Sequence, residues 1–259
     1  MWDPVRYGQF ADERARPFVD LLARVRAEQP RQVVDLGCGD GTLTATVLDR
    51  WPGASVHGVD SSPEMLARAA ARAVPGRLSF ELGGIEDWRP DGPVDVLISN
   101  AALQWVAGHR TLIGRLVAAL APAGWLAAQM PANIDSPTHT ELAALCRSPR
   151  WRDRLGAVAG RGWPVLEPPT YLDLLAGAGC AVDVWQTTYL HVLRGAEPVL
   201  DWMRGTALRP VLVALTGDPT AEAEFLAEYR VRLRSAYPLG PHGTVLPFRR
   251  TFVVAQRLP

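Results

Sequence analysis

Val33-Val34-Asp35-Leu36-Gly37-Cys38-Gly39-Asp40-Gly41-Thr42 decides how this chain folds. A short apolar run ends in an acid, a loop with glycine at every second position follows, and a helical pattern then begins. This predicts the first strand of an open α/β sheet running into a turn and the N-terminus of a helix. Glycines let such a loop take left-handed conformations and leave bare main chain for a ligand. The helix start adds unpaired N–H groups that suit a carboxylate or phosphate. The spacing is not G-x-G-x-x-G, because the third glycine of that fingerprint is missing. No Gly-Lys-Ser or Gly-Lys-Thr follows, so a phosphate P-loop is absent as well.

Downstream, strand and helix patterns alternate. Ala54 to Asp60 reads as a second strand ending in an acid, where a carboxylate can accept from both hydroxyls of a ribose. Ser61-Ser62-Pro63-Glu64 starts a helix, with Ser62 as N-cap and Pro63 at the first helical position. That helix is expected to bury Met65, Leu66 and Ala69, and Met65 reads either as core or as a contact to an adenine edge. His57, mid-strand, reads as a packed residue. Leu78 to Leu82 is a third strand, followed by Gly83-Gly84-Ile85-Glu86-Asp87-Trp88. Val94 to Asn100 is a fourth, and Asn100-Ala101-Ala102-Leu103-Gln104-Trp105 leaves its C-terminal end, where open α/β sheets bind ligands. A helix from about His109 to Leu120 and a turn at Pro122-Ala123-Gly124 lead to a fifth strand, Trp125 to Met130. Five β–α units in order, each strand preceding a helix, predict a doubly wound parallel sheet with right-handed crossovers.

After residue 130 the alternation breaks. Residues 131–168 are rich in Pro, Arg and Trp, with a helix near 138–147, and read as a long insertion of the kind that forms lids or binding loops. A helix from Thr170 to Ala178 ends at Gly179, and Val182 to Leu190 is a sixth strand. Residues 195–240 read as two or three helices and 244–257 as a last strand, the sixth and last strands together suggesting an antiparallel edge. At the other end, Phe18, Leu21, Leu22 and Val25 have amphipathic helical spacing. That helix is either a surface helix on the sheet or a lid whose Tyr7, Phe10 and Arg14 fold over a cofactor.

The 259 residues are 48 % hydrophobic, enough for one large domain or a domain with a cap. Lys+Arg and Asp+Glu both count 27, a balance that argues against a nucleic-acid surface. No apolar stretch reaches the ~18 residues of a membrane span, and Met1-Trp2-Asp3-Pro4 shows no signal peptide. Three scattered cysteines, Cys38, Cys146 and Cys180, fit a reduced, cytoplasmic protein. Cys38 reads as a small residue that fits the loop rather than a nucleophile. Histidines and cysteines show no metal-ligand spacing, and no nucleophile elbow is present. No Tyr-x-x-x-Lys stands beside the glycine loop, which argues further against a dinucleotide oxidoreductase.

The D-x-G-x-G-x-G loop resembles motif I of the class I S-adenosylmethionine-dependent methyltransferases. A closer resemblance, to the trans-aconitate 2-methyltransferases, runs along nearly the whole chain. It is carried by Trp2-Asp3-Pro4 with Tyr7, Phe10 and Glu13-Arg14-Ala15-Arg16-Pro17, by Leu21 to Val25, by Val59-Asp60-Ser61-Ser62-Pro63-Glu64-Met65 and by Asn100 to Trp105. Gln129-Met130-Pro131-Ala132-Asn133 with Pro137-Thr138-His139, Thr187-Thr188-Tyr189 and Asp201-Trp202 continue it. So do Gly205-Thr206-Ala207-Leu208-Arg209-Pro210, Tyr237-Pro238-Leu239 and Phe252 to Ala255. Residues 147–162 match less well, and Gly84 stands where the family often has an acid for the adenine amino group, with Glu86 and Asp87 as the acids that could compensate.

The resemblance implies a Rossmann-like, seven-stranded mixed sheet with helical cap insertions: a lid helix at 1–29, a cofactor-binding core at 30–130, and caps at 131–168 and 191–243 over the substrate site. It implies S-adenosyl-L-methionine as cofactor, S-adenosyl-L-homocysteine as product, and formation of a trans-aconitate monomethyl ester. Cofactor contacts would come from Asp35, Gly37, Cys38, Gly39, Thr42, Asp60, Ser61, Met65, Gly84, Ile85, Asn100 and Ala101, with Tyr7 and Arg14 of the lid. A carboxylate is already a nucleophile at neutral pH, so no general base is expected; alignment and exclusion of water remain, with positioning worth ~7–11 kcal/mol. The substrate's charges call for arginine, whose planar fork pairs two carboxylate oxygens. Arg209 comes first, then Arg250 and Arg14. Tyr7, Gln104, Trp105, Gln129, His139, Tyr229 and Tyr237 could add contacts, though His139 also reads as a helix N-terminal residue and Gln104 and Trp105 as structural. The partner expected is this small tricarboxylate, with no nucleic acid and no membrane, on a monomer. Another small or carrier-bound acid, a natural-product hydroxyl, or noncatalytic cofactor binding are the alternative readings.

Overall fold

A computed structural model describes residues 11–158 and 165–259, with side chains from residue 15 onward. Helix α1 spans Ala11–Leu22 and buries Phe18, Leu21 and Leu22. Strand β1 (Gln32–Leu36) leads into α2 (Thr42–Arg50), β2 (Ser55–Asp60) into α3 (Pro63–Ala69), and β3 (Leu78–Leu82) into β4 (Val94–Asn100). Helix α4 (His109–Ala118) follows, then β5 (Leu120–Pro131). Ser62 caps α3 by accepting from the Met65 N–H at 3.3 Å, with Pro63 in the first turn as expected.

Beyond β5 come α5 (Pro137–Cys146), the single turn α6 (Arg152–Leu155), α7 (Pro168–Gly177) and β6 (Cys180–Leu193). Helices α8 (Pro198–Arg204), α9 (Arg209–Ala214) and α10 (Pro219–Ala236) precede the two-residue β7 (Leu239–Gly240) and the long β8 (Gly243–Arg257). The sheet order is β3-β2-β1-β4-β5-β8-β6, with β7 paired to β8 off this path. Strands β1 to β5 pair in parallel and β8 pairs antiparallel with β5, the mixed sheet the sequence predicts. Strand order reverses between β1 and β4, so ligands are expected in the crevice beyond the C-terminal ends of these strands.

Four local expectations need correction. No helix joins β3 to β4; Gly83, Gly84, Pro90, Gly92 and Pro93 break any helical run across that connection. Pro122-Ala123-Gly124 does not precede β5 but interrupts it. Pairing jumps from Val94–Leu120 to Val96–Trp125, and Ala123 takes a left-handed φ of 60°. Of Met65, Leu66 and Ala69, only Ala69 is buried. His57 is not packed away: its ring bonds Ser79 and Glu81, each at 2.9 Å, on the outer face of β3.

The chain divides into two compact units. The larger holds the described residues of Arg14–Pro131, Pro164–Thr187 and Arg250–Pro259. Val33, Leu36, Val96, Leu97 and Ile98 line its core, because strands covered on both faces are apolar throughout. The smaller unit takes in the described residues of Met1–Glu13, Ala132–Trp163 and Thr188–Arg249, while α7 belongs to the unit that holds the sheet. It has its own core of helix faces around Leu145, Trp151, Leu200, Leu208, Phe225 and Tyr229. Cys146 is buried there, and burial pushes its thiol up to about 11. Cys180, at the start of β6, is buried in the larger unit and its thiol is raised too, again by burial.

Candidate cofactor and substrate site

The first contributor is Asp35 near the end of β1, only 2 % exposed. Its Oδ2 accepts from the Thr44 hydroxyl at 2.6 Å. Its Oδ1 is buried and has no hydrogen-bond partner among the described residues. Burial pushes this carboxyl up to about 6; the Thr44 bond opposes the rise and the Asp60 charge adds to it. A buried carboxylate oxygen with nothing to accept costs free energy, so this acid is placed for a donor that the protein does not itself supply. Thr44 was not among the residues singled out from sequence; its signal is a hydroxyl one turn into α2.

The loop that follows is shaped by φ values of 81° at Gly37, 59° at Gly39 and 73° at Gly41. The glycines are required for different reasons. A Cβ at Gly37 would lie 2.2 Å from the Ala102 Cβ, so the loop and the end of β4 need bare backbone to meet. A Cβ at Gly41 would lie 2.6 Å from the Phe80 ring. A Cβ at Gly39 would meet nothing within 4 Å, so that side of the main chain faces open space. Cys38 packs its sulfur toward Gly58, and burial together with the charges of Asp35, Asp60 and Asp40 raises its thiol far above the ordinary range. It is therefore a neutral thiol, not a nucleophile. Thr42 opens α2, its N–H given to Asp40 Oδ1 at 3.0 Å.

Asp60, at the end of β2, pins this loop from the side. Its Oδ2 accepts from the Gly39 N–H at 2.8 Å and its Oδ1 from the Ser62 N–H at 2.9 Å. Two of roughly four lone-pair positions are used, which leaves one acceptor on each oxygen for a vicinal diol. Ser61 is exposed and Met65 half-buried beside it. Past β3, Ile85 is buried with its Cδ1 3.6 Å from the position of a Gly37 Cβ. At Gly84 a Cβ would sit 3.2 Å from Glu86 Oε2 and 4.0 Å from Asp87 Oδ2, so two carboxylates flank the position where a side chain is missing.

The end of β4 supplies Asn100 and Ala101. Ala101 is held at φ 54°, left-handed for a residue with a side chain. Such strain persists where surrounding bonds over-determine it: its N–H donates to the Gln129 carbonyl at 2.9 Å, and its carbonyl accepts from Gln104 Nε2 at 2.6 Å. Gln104 is buried, and its Oε1 lacks a partner among the described residues. Trp105 is 60 % exposed. Arg250 is buried rather than presented at the surface, and its Nη1 donates to Gln129 Oε1 at 3.1 Å. Gln129 Nε2 in turn donates to Asn100 Oδ1 at 2.6 Å.

Asp35, Gly37 to Gly39, Asp60, Ile85, Asn100, Ala101, Gln104, Gln129 and Arg250 thus belong to one unit and one end of its sheet. His139, Arg209, Tyr229 and Tyr237 belong to the other. Tyr229, fully buried, spends its only proton on the Thr138 carbonyl at 2.6 Å, while Tyr237 accepts from the Thr138 N–H at 3.3 Å. Both therefore clamp the start of α5. His139 is half-buried on that helix, and burial lowers it to about 4, so its ring is neutral near pH 7. Arg209 opens α9, half-buried. Tyr7, Phe10 and the Arg14 side chain lie outside the described residues. Among the described residues no cluster of His, Cys, Asp and Glu is arranged for a metal, and no helix is long and apolar enough to cross a membrane.

Residues 33–124 match the family model described as a methyltransferase domain. Over 263 residues, 99 % of this chain and 86 % of the relative, the chain is 51 % identical to the trans-aconitate 2-methyltransferase of Streptomyces coelicolor. It is 49 % identical to that of Rhodococcus jostii, with 99 % of each chain covered. Among solved structures, an S-adenosylmethionine-dependent methyltransferase from Mesorhizobium loti has the same fold, with a TM-score of 0.51 at 20 % identity over 93 % of this chain and 97 % of that one.

Proposed function

This chain belongs to the trans-aconitate 2-methyltransferase family, and from that membership we propose that it methylates one carboxylate of trans-aconitate to give the monomethyl ester. The observation inside the fold that carries the cofactor half of this reading is the buried, partnerless Oδ1 of Asp35 beside an open glycine loop. S-adenosyl-L-methionine supplies a methyl group on a sulfonium, with an ammonium and a ribose diol as its handles. Asp35 would take the ammonium, on the oxygen left without a donor. Asp60 would take the diol, on the acceptors left by Gly39 and Ser62. Gly39 leaves room for the ligand chain, and Ile85 with the backbone at Gly84 would border the base.

No side chain need act as a base, since the substrate is already anionic at neutral pH. The residues at the end of β4 have the task of orienting an oxygen and excluding water. Arg209, on the helical unit, would neutralise part of the substrate's charge. Three free cysteines support a reduced, cytoplasmic setting.

Transfer of labelled methyl from S-adenosyl-L-methionine to trans-aconitate tests this, with cis-aconitate, isocitrate and citrate alongside. Saturable turnover that prefers trans-aconitate, giving a base-labile product, is expected. Tight cofactor binding without turnover of any of the four would sink the substrate assignment and leave the fold untouched.

A further inference from the structure

Three of the residues just described form a relay, and we propose that Arg250 and Gln129 are positioning residues that hold the Asn100 amide with its donors outward, making the end of β4 a docking point for a carboxylate. This rests on the methyl-transfer reading above.

A guanidinium has donors and no acceptor. The amide that meets Arg250 must therefore turn its oxygen toward it, and Gln129 does so. The NH2 of Gln129 then faces Asn100, which must answer with its own oxygen, and does. The orientation of the third group is thus dictated by the first. Register lines them up: Asn100 pairs with Gln129 across β4 and β5, and Arg250 pairs with Pro131 across β5 and β8. Gln129 is 0 % and Arg250 4 % exposed, so water does not compete for the relay. Asn100 is half-buried, and among the described residues its side chain makes no bond besides the one to Gln129. The NH2 that remains presents two donors at the rim of the sheet.

Two donors on a neutral group suit a carboxylate oxygen. That carboxylate belongs either to the amino-acid end of the cofactor or to the acid substrate. Gln129→Glu separates orientation from packing. Glutamate keeps the shape and still accepts from Arg250, but it turns an acceptor on Asn100, whose NH2 must then swing inward. Asn100→Asp, which replaces the donors with a charged oxygen, is the second variant. Arg250→Lys keeps a donor-only group behind Gln129, and Arg250→Met removes it.

Calorimetry on the full chain would measure S-adenosyl-L-homocysteine binding, and trans-aconitate binding to the protein loaded with S-adenosyl-L-homocysteine, with kcat and KM beside them. Gln129→Glu and Asn100→Asp are expected to weaken one carboxylate ligand by about tenfold or more, with kcat moving less. Arg250→Lys is expected to keep most of the affinity that Arg250→Met loses. Weakening confined to trans-aconitate assigns the docking point to substrate; weakening of S-adenosyl-L-homocysteine assigns it to the cofactor. Unchanged affinity for both in folded Gln129→Glu, or equal losses in the two Arg250 variants, would overturn the relay. If the wild-type chain neither binds nor methylates trans-aconitate, the proposed function falls, and the relay is then decided by cofactor affinity alone.

Discussion

The Thr44 hydroxyl donates to Asp35 Oδ2 at 2.6 Å inside the fold, and it is the one side-chain bond that offsets the burial of that acid. Thr44→Val removes the donor and keeps the shape. It is expected to cost about 1–3 kcal/mol of stability at neutral pH, read by urea denaturation. The Asp35 pKa should rise further, and the pH midpoint of cofactor binding with it.

Asp35 also makes the ligand-free protein pH-sensitive. Its folded pKa of about 6 lies above the ordinary 3.8, so between those values the folded state holds more proton than the unfolded one. This contribution to stability is complete below 3.8 and is lost as pH rises through about 6. The two-unit shift corresponds to about 3 kcal/mol. Asp35→Asn should therefore raise Tm at pH 7.5, taken here as roughly neutral, and change it little in acid. Cofactor affinity should run the opposite way in the wild type, falling as the carboxylate is protonated below about 6. A flat binding profile across that range would remove Asp35 from the ammonium.

Gly37 and Gly39 share a left-handed backbone but not surroundings. Gly37→Ala sets a Cβ 2.2 Å from Ala102, whereas Gly39→Ala meets nothing within 4 Å. The second should cost about 1–2 kcal/mol for the backbone alone; the first should cost clearly more, because the loop or the end of β4 must shift. Equal losses in chemical denaturation would mean the loop relaxes freely at Gly37.

Tyr229 and Arg209 separate structure from binding in the helical unit. Tyr229→Phe takes the side-chain donor from the Thr138 carbonyl and should cost about 0.5–1.5 kcal/mol of stability, with KM for the acid unchanged. Arg209→Ala should lower kcat/KM by about tenfold to a hundredfold in folded protein. The reverse pattern, a KM effect at Tyr229 and none at Arg209, would exchange their roles.

What the sequence discloses here is what depends on neighbours along the chain. The strand–acid–glycine run, the Ser62-Pro63 start of α3 and the acid closing β2 are local signals, and each stands where it was expected. The connection from β3 to β4 was read as helical because alternation was extended over it, although its glycines and prolines oppose a helix. Residues 122–124 were read as a turn before β5 because only pairing with β4 reveals that the strand resumes on both sides. The relay was beyond reading for a related reason. Asn100 and Gln129 are 29 residues apart, and Gln129 and Arg250 are 121 apart. Each was named as a candidate, but sheet register alone makes them one device. Arg250 reads from sequence as a substrate residue; the structure buries it against Gln129.

The three cysteines have a practical consequence of their own. Cys38, Cys146 and Cys180 are free and all have raised thiol pKa values, so at neutral pH none is held as the reactive thiolate. Alkylating reagents must wait until the fold opens around the buried Cys146 and Cys180, whereas Cys38 is partly exposed and is slowed by its raised pKa. Labelling rates then become three clocks set into the native sequence, two timing the sheet unit and one the helical unit. The clock at Cys38 times the glycine loop itself, and a ligand that fills the loop should slow it while the one at Cys146 runs on.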